Sequence, residues 1–567
     1  MRPMDEPSLP ESLDPEAVAS IFYRYVAVNS ETGTARENEA ADFVISSLRG
    51  LPYFTERPEQ LALEALPDDP FGRSIAWALV RGAGPRTVVL IHHLDVVGVE
   101  DFRLHGHLAF DPEALARALR DDPAGLDEEA RADLASGLWA FGRGSADMKA
   151  GGAAQIAAMA ACAGARDLPG SVLLLAVPDE EGLSGGMRAA APLLSRLKRR
   201  YGLEYALMLN AEPHQRKDPG RLVLSGGSIG KLLPFVYVRG ILAHAGKSYE
   251  GFNPLAILGR IIDRSELSME LADADPAAGE AAPPPTWLMA RDGKEAYDVS
   301  MPLSAFGCLS VLTMRRGPRE VLDALLSLAR DCAEGAAERI YASVDAYRAA
   351  SGRTAAVRHP APEVMSFGQL LERARAAAPG RFEAYYAQAL EDVGRGLREG
   401  SLGHAEATRR LAEAACDFVG LERPAVVVGF VPPYYPSVSY RDRPEYASFV
   451  GALAEELGAY GRERFGLDYE LEAYFTGISD LSYSALGPAG AAGAAELEGF
   501  MARQMPLYGR AYAVPFAEIH DAAMPCINVG PWGKDFHKLG ERVLKEDAFQ
   551  RAPALLLKAL AFAWGGG

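Results

Sequence analysis

Cysteine is scarce in this chain: 567 residues hold only Cys162, Cys308, Cys332, Cys416 and Cys526. Their number is odd and no two form a CxxC pair, which argues against a disulfide framework and against a thiolate zinc site. Long apolar runs are missing as well. No stretch reaches the roughly 18 uninterrupted apolar residues of a membrane-spanning helix. The opening MRPMDEPSLPESLDPE is acidic and proline-rich, where a secretory leader needs a basic start followed by an apolar stretch. A cytoplasmic protein is expected. Positive charge is in deficit, with 58 Lys and Arg against 76 Asp and Glu and a formal net charge of -18, so nucleic-acid and membrane partners are not expected. Internal repeats and long low-complexity tracts are also absent. What is there is an ordinary globular composition, 49% apolar and 24% charged. At roughly 100 to 200 residues per domain, two or three domains are expected.

The first 230 or so residues alternate helical and strand-like stretches, the grammar of a βα sheet protein. Residues 13–29 and 36–50 have amphipathic helical spacing, and strands are expected near 75–80 and 87–91. The second of these runs straight into His92, His93, Leu94 and Asp95. The apolar run 171–177 ends in Pro178, Asp179, Glu180 and Glu181, and the run 204–209 ends in Asn210, Ala211 and Glu212. An Ala-rich helix over 148–163 is opened by a glycine-rich turn that closes on Asp147. Ligands of open α/β sheets bind outside the carboxyl ends of the strands, so these acids and imidazoles stand where chemistry is done.

A second region starts near Lys231 with a strand over 232–239, a loop carrying His244, a helix from about Pro254 to Ile262 and strands near 297–314. Residues 319–350 and 364–420 look helical, and strand character returns at 425–430. Beyond about Tyr440 the alternation of helix and strand resumes. The expected organisation is a catalytic domain from 1–230 and 433–567, interrupted by an α+β domain over 231–432 with a helical insertion at about 350–422.

His93, Asp95, Asp147, Glu180, Glu181, Glu212 and His537 form one inventory. A pair of divalent ions needs two imidazoles, terminal carboxylates and one carboxylate shared by both ions, with room for a water between them. A further carboxylate beside the ligands serves as general base, and another fixes the tautomer of a ligating imidazole. Glu180 and Asp95 suit those two duties. His92, by contrast, reads as a hydrogen-bonded strand-end histidine.

At these residues the sequence resembles the di-zinc metallopeptidase and amidohydrolase family of carboxypeptidase G, aminoacylase, acetylornithine deacetylase and succinyl-diaminopimelate desuccinylase. The segments that carry the resemblance are HLDVV (93–97), GRGSADMK (142–149), PDEEG (178–182), NAEP (210–213), GILAHAG with GFN (240–246 and 251–253), GISD (477–480) and GPWGKDFHKLGERV (530–543). The resemblance implies an α/β, phosphorylase/hydrolase-like zinc-peptidase catalytic domain and an inserted α+β dimerisation, or lid, domain, here with extra helices. It implies that His93, Asp147 and Glu212 bind one metal and Asp147, Glu181 and His537 the other. Glu180 would be the general base, Asp95 would orient His93, and His244 would enter a partner subunit's site to polarise the scissile carbonyl. The metals are expected to be two Zn2+, with Co2+ or Mn2+ as alternatives, the substrate a small peptide or N-acyl amino acid, and the assembly a homodimer. Asn253, Arg315 and Asp480 are candidate substrate residues. Many family deacylases carry Asp-x-Arg where this chain has Thr313, Met314, Arg315 and Arg316. VPPYYPS (431–437), GPWGKDFHK and the helical insertion resemble an arginine-utilisation branch of the family.

Two other enzyme readings compete. Gly226, Gly227, Ser228, Ile229 and Gly230 match the nucleophile-elbow string of serine hydrolases, with Asp480 and His537 following in the right order. That reading requires a helix to open after Ser228, whereas the residues that follow look like a strand. Gly246, Lys247 and Ser248 evoke a phosphate-binding loop, yet Gly240 lies one residue too far upstream. A catalytically silent metal-binding protein is the third alternative; the intact Glu180 argues against it.

Overall fold

The computed structural model describes residues 9–352, 358–487 and 490–565. The first residues of the acidic, proline-rich opening (1–8) and part of the helical insertion (353–357) lie outside the described residues. The chain divides into two compact units, one of residues 1–229, 436–491 and 515–567, the other of 230–435 and 492–514.

The first unit is built on an eight-stranded sheet. Its order is Leu61–Ala65, Ser74–Val80, Ser171–Val177, Arg86–His93, Glu204–Asn210, Cys526–Asn528, Arg221–Ser225 and Asp468–Glu472. Strands 171–177, 86–93, 204–210 and 526–528 run parallel, with His93 beside Val177 and Ile91 beside Asn210 in register. These central strands are near-continuous apolar runs because both faces are covered. Helices Glu37–Arg49, Lys149–Gly164, Pro444–Phe465 and Ala552–Gly565 supply apolar side chains to the core on one face. Helix Gly185–Tyr201 lies against strands 74–80 and 171–177. Each fully buried Leu or Val of this core contributes on the order of 1.5 to 3 kcal/mol. Four parallel carboxyl ends therefore open side by side on one edge of a rigid sheet.

The first two helices form where their spacing predicts, at Pro15–Val26 and Glu37–Arg49. Asp14 caps the first, its carboxylate accepting the Glu16 N–H at 3.1 Å, with Pro15 at the first position. The strand expected near 75–80 spans Ser74–Val80.

The second unit holds a five-stranded sheet ordered Thr286–Asp292, Ser304–Thr313, Gly230–Arg239, Ala425–Tyr435 and Glu363–Ser366. All its pairings are antiparallel except the last. Helices Phe367–Ala377, Arg381–Arg398 and His404–Val419 bury Phe235, Tyr237 and Phe306 of the sheet against Phe367, Phe382 and Cys416. The 34-residue helix Pro318–Ser351 packs against Leu255–Ser265. The α/β class with an α+β insertion carrying extra helices is thus the observed architecture. Residues 492–514 group with the second unit, whereas the expected organisation puts them in the catalytic segment 433–567; Leu507 packs there on Val393 and Leu411.

Candidate metal centre

At the carboxyl ends of the central strands, His93, Glu180, Glu181 and Glu212 meet Asp147, from the turn before helix Lys149–Gly164, and His537, from a turn between two short strands of a separate sheet. Three groups, His93–Asp147–Glu212, His93–Glu180–Glu181 and Asp147–Glu181–His537, each have donor atoms within 4.8 Å of one another. Asp147 belongs to two of them. Its Oδ1 lies 2.9 Å from His93 Nε2 and its Oδ2 lies 3.2 Å from His537 Nε2. Glu212 Oε1 is 3.8 Å from His93 Nε2, and Glu181 Oε1 is 2.8 Å from His537 Nε2.

Each side chain is positioned by its own local structure. His93 ends its strand, and its Nδ1 lies 2.9 Å from the Asp95 carbonyl oxygen. A carbonyl only accepts, so Nδ1 carries the hydrogen and Nε2 faces Asp147 and Glu212. The carboxylate of Asp95 does other work than expected: it lies 3.7 Å from that nitrogen and instead accepts the N–H groups of Glu180 and Glu181, each at 3.0 Å, and the Thr32 hydroxyl at 2.9 Å. Asp95 thus orients the ring through its main chain and the Glu180–Glu181 turn through its side chain.

That turn is not a solvated one. Asp179, at φ 68, accepts Arg73 Nη1 at 2.8 Å and the Gly185 N–H at 2.9 Å. Arg73 also pairs with Glu37 at 2.9 Å and Asp69 at 2.6 Å, and Glu37 accepts the Asp179 N–H at 2.8 Å. Glu212 follows Asn210, whose Oδ1 accepts the Ala211 N–H at 2.8 Å and whose Nδ2 donates to Ser479 at 2.9 Å. Asn528 Nδ2 donates to the Glu212 carbonyl at 2.9 Å. Gly530 passes so close that a Cβ there would lie 1.9 Å from the same carbonyl oxygen.

His537 is carried on the turn between strands Gly533–Lys534 and Arg542–Leu544, at φ 62. Arg542 anchors the turn, bonding Asp133 through Nε at 2.8 Å and Asp535 through Nη1. His92, as expected of a structural histidine, is buried with Nδ1 3.0 Å from Gln155, and burial pulls its pKa down to about 4. Asp480 is buried, accepts the Ser184 hydroxyl at 3.3 Å, and is pushed up to about 7 by burial and the charges of Asp95 and Asp179.

The electrostatics fit divalent cations. Burial, reinforced by neighbouring carboxylates, raises Glu180 and Glu212 well above the usual carboxylate range and raises Glu181 less. Burial would depress His93, yet Glu212, Asp147 and Glu180 outweigh it and hold the ring well above its ordinary value. Hydrogen bonds to Asp147 and Glu181 raise His537 to about 10. Asp147 is held low, because bonds from the two imidazoles overcome its burial. Six carboxyl groups, counting Asp95 and Asp480, thus converge with two imidazoles, an oxygen-rich and nitrogen-bearing donor set suited to Zn2+, Co2+ or Mn2+.

The serine-nucleophile alternative is contradicted. Strand Arg221–Ser225 is followed by Gly227–Ser228 and then by strand Gly230–Arg239, so no helix opens there. The Ser228 hydroxyl is buried, donating to the Ile229 carbonyl at 3.2 Å and accepting from Ser482 at 3.4 Å. The Gly-Lys-Ser segment at 246–248 lies in a short 3-10 turn, Ala245–Glu250, rather than at a helix opening.

Three candidate residues lie in the second unit. His244 is exposed, and its Nδ1 accepts the Gly246 N–H at 3.0 Å, so the neutral ring carries its hydrogen on Nε2. Asn253 Oδ1 accepts the Leu255 N–H at 3.0 Å. The Arg315 N–H donates to Asp273 at 2.8 Å, as do those of Met314 and Arg316, each at 2.7 Å.

Sequence reasoning missed the buried charges behind the ligands: Glu37, Arg73, Arg143 and Glu541. Charged residues are ordinarily exposed and are buried only when paired, so local sequence does not mark these four; the one usable signal was that Arg143 and Glu541 stand inside the segments GRGSADMK and GPWGKDFHKLGERV.

Residues 122–560 match the model of Peptidase family M20/M25/M40, and the chain belongs to this family. It is a metallo-hydrolase of the peptidase and amidohydrolase kind. Among individual proteins it is similar to the uncharacterized protein YqjN of Bacillus subtilis, 32% identical over 544 residues that cover 95% of each chain. Protein RocB of the same organism is 29% identical over 552 residues, 95% of this chain and 94% of that one. A succinyl-diaminopimelate desuccinylase of Cereibacter sphaeroides is 32% identical over 163 residues, 29% of this chain and 40% of its own. Among solved structures, the M20 family metallo-carboxypeptidase Sso-CP2 of Sulfolobus solfataricus shares the fold at a TM-score of 0.51 and 12% identity, covering 97% of this chain and 99% of that one.

Proposed function

We propose that this protein hydrolyses the amide bond of a small peptide or N-acyl amino acid at a two-metal centre. The observation that carries the reading is Asp147, whose two oxygens face His93 on one side and His537 on the other. His93, Asp147 and Glu212 would hold one ion, and Asp147, Glu181 and His537 the second. Divalent ions in such a site lower the pKa of a water from 15.7 towards about 7 and polarise the substrate carbonyl.

Glu180 is the general base of this reading. It is buried beside Glu181 and held above the usual carboxylate range, which suits a group that takes a proton from water and passes it to the leaving amine. Asp95 keeps the Glu180–Glu181 turn in place through its two N–H bonds. His244, with its hydrogen on Nε2, is suited to donate to the oxyanion, and in this reading it does so in the site of a neighbouring subunit of a homodimer. Asn253 and Arg315 are the proposed substrate contacts, and Asp480 shapes the wall of the pocket. Zn2+ is the proposed metal, with Co2+ and Mn2+ as alternatives. A cytoplasmic location fits the absence, among the described residues, of any helix long and apolar enough to cross a membrane. A place in arginine or amino-acid catabolism rests on the VPPYYPS and GPWGKDFHK segments.

A panel of dipeptides and N-acyl amino acids, assayed before and after chelation and again after adding Zn2+, Co2+ or Mn2+, tests the reading. Amide cleavage that chelation abolishes and metal restores is expected. Cleavage indifferent to chelation would sink it.

A further inference from the structure

Two of the proposed ligands, Asp147 and His537, come from segments almost 400 positions apart in the chain, and one buried side chain ties the segments together. Glu541, four residues after His537, is fully buried. Its Oε1 accepts the N–H groups of Ala146 at 3.2 Å and of Asp147 at 3.3 Å. Its Oε2 accepts Arg143 Nη1 at 2.6 Å. The main chain closes the same loop of contacts: the Gly142 N–H donates to the Glu541 carbonyl at 3.1 Å, and the Glu541 N–H donates to the Lys538 carbonyl at 2.9 Å.

Arg143 is itself held, which gives the bridge a fixed anchor. Its Nη2 bonds Asp101 at 2.6 Å, its Nε donates to the Gly98 carbonyl at 3.1 Å, and its guanidinium lies 4.9 Å from the Phe102 ring centre. A charged group buried this deeply persists where partners satisfy it, and here the partners lie on the turn that presents Asp147.

Resting on the two-metal reading above, we propose that Glu541 is a positioning residue that sets the separation of Asp147 and His537 and so governs the affinity of the metal position they share with Glu181. The other position also uses Asp147 but takes His93 and Glu212 from strand ends that Glu541 does not touch, so loss of Glu541 disturbs both unshared and shared ligands of the His537 position and only the shared ligand of the His93 position. Groups that orient metal ligands typically change metal affinity about 10- to 100-fold when removed.

The test uses the full-length protein and its Glu541→Gln and Glu541→Ala variants, stripped by chelation and titrated with zinc against a competing indicator. Wild type is expected to take two zinc ions per chain. Glu541→Ala weakens the His537 position by about 10- to 100-fold and the His93 position by clearly less. Glu541→Gln, whose amide oxygen still accepts the two N–H groups but lacks the charge facing Arg143, falls between them. Because the near-isosteric Gln variant keeps the packing, it decides the matter if the Ala variant fails to fold. Equal weakening of both positions marks a merely structural residue and overturns the proposal, as does no change in either. Fewer than two ions on wild type overturns the two-metal reading and this proposal with it.

Discussion

The two halves of the proposed metal centre are built differently. His93 and Glu212 leave the ends of central parallel strands and are almost entirely buried, with 1% and 4% of their side chains exposed. His537 stands on a tight turn with 46% of its side chain exposed and its backbone at φ 62. A left-handed non-glycine residue of this kind costs roughly 1 to 3 kcal/mol and persists where the surroundings over-determine it. Here Arg542, Asp535 and Asp133 on one side and Glu541 on the other supply that constraint. The sheet makes one position rigid and dry, whereas a braced turn makes the other open to solvent and dependent on distant residues. On this account the metal at the His93 side exchanges more slowly than the metal at the His537 side.

The largest effect separates chemistry from binding at both halves. Glu180→Ala should lower turnover by about 10²- to 10⁴-fold while both ions stay bound, read by steady-state kinetics and elemental analysis on the same preparation. Loss of metal along with turnover would make Glu180 a ligand and blur the distinction between the halves.

A smaller effect comes from pH. Glu180, Glu181 and Glu212 have raised pKa values, and His93 and His537 are raised as well, so the metal-free native state binds more protons than the unfolded chain at these groups. Their contribution to the stability of the metal-free protein is therefore full at low pH and lost as pH rises, for His537 through about 10. Asp147, held low, acts in the opposite sense and loses its contribution only under acid conditions. Cations compete with those protons, so the rise in melting temperature on adding zinc should grow between about pH 5 and pH 8. A zinc-induced shift that shrinks with rising pH would show that these groups are not the ligands.

The same contrast explains how much was legible in the sequence. The strands Arg86–His93, Ser171–Val177 and Glu204–Asn210 are continuous apolar runs ending abruptly in acids or imidazole, and that pattern places the proposed ligands without any tertiary information. Helix Lys149–Gly164 was equally plain. Strands Glu363–Ser366 and Asp468–Glu472 were not, since each is a short edge strand that is partly exposed and partly polar. Nor does local pattern reveal that residues 492–514 group with the second unit, because the burial of Leu507 depends on partners about a hundred residues away. The dual role of Asp95 was half visible: its proximity to His93 is local, but its bonds to Glu180 and Glu181 span 85 and 86 positions. Glu541 stood in a segment already singled out for His537, and only its contact across 394 positions with the Asp147 N–H gives it meaning.

The central claim is that Asp147 is shared by both halves, and counting metal on Asp147→Ala tests it most directly. Removing a shared ligand should strip both positions, so the variant, folded by circular dichroism and equilibrated with zinc at a concentration that saturates wild type, should retain far less than one ion per chain. Retention of one ion at wild-type affinity would contradict the account, because Asp147 would then serve a single position.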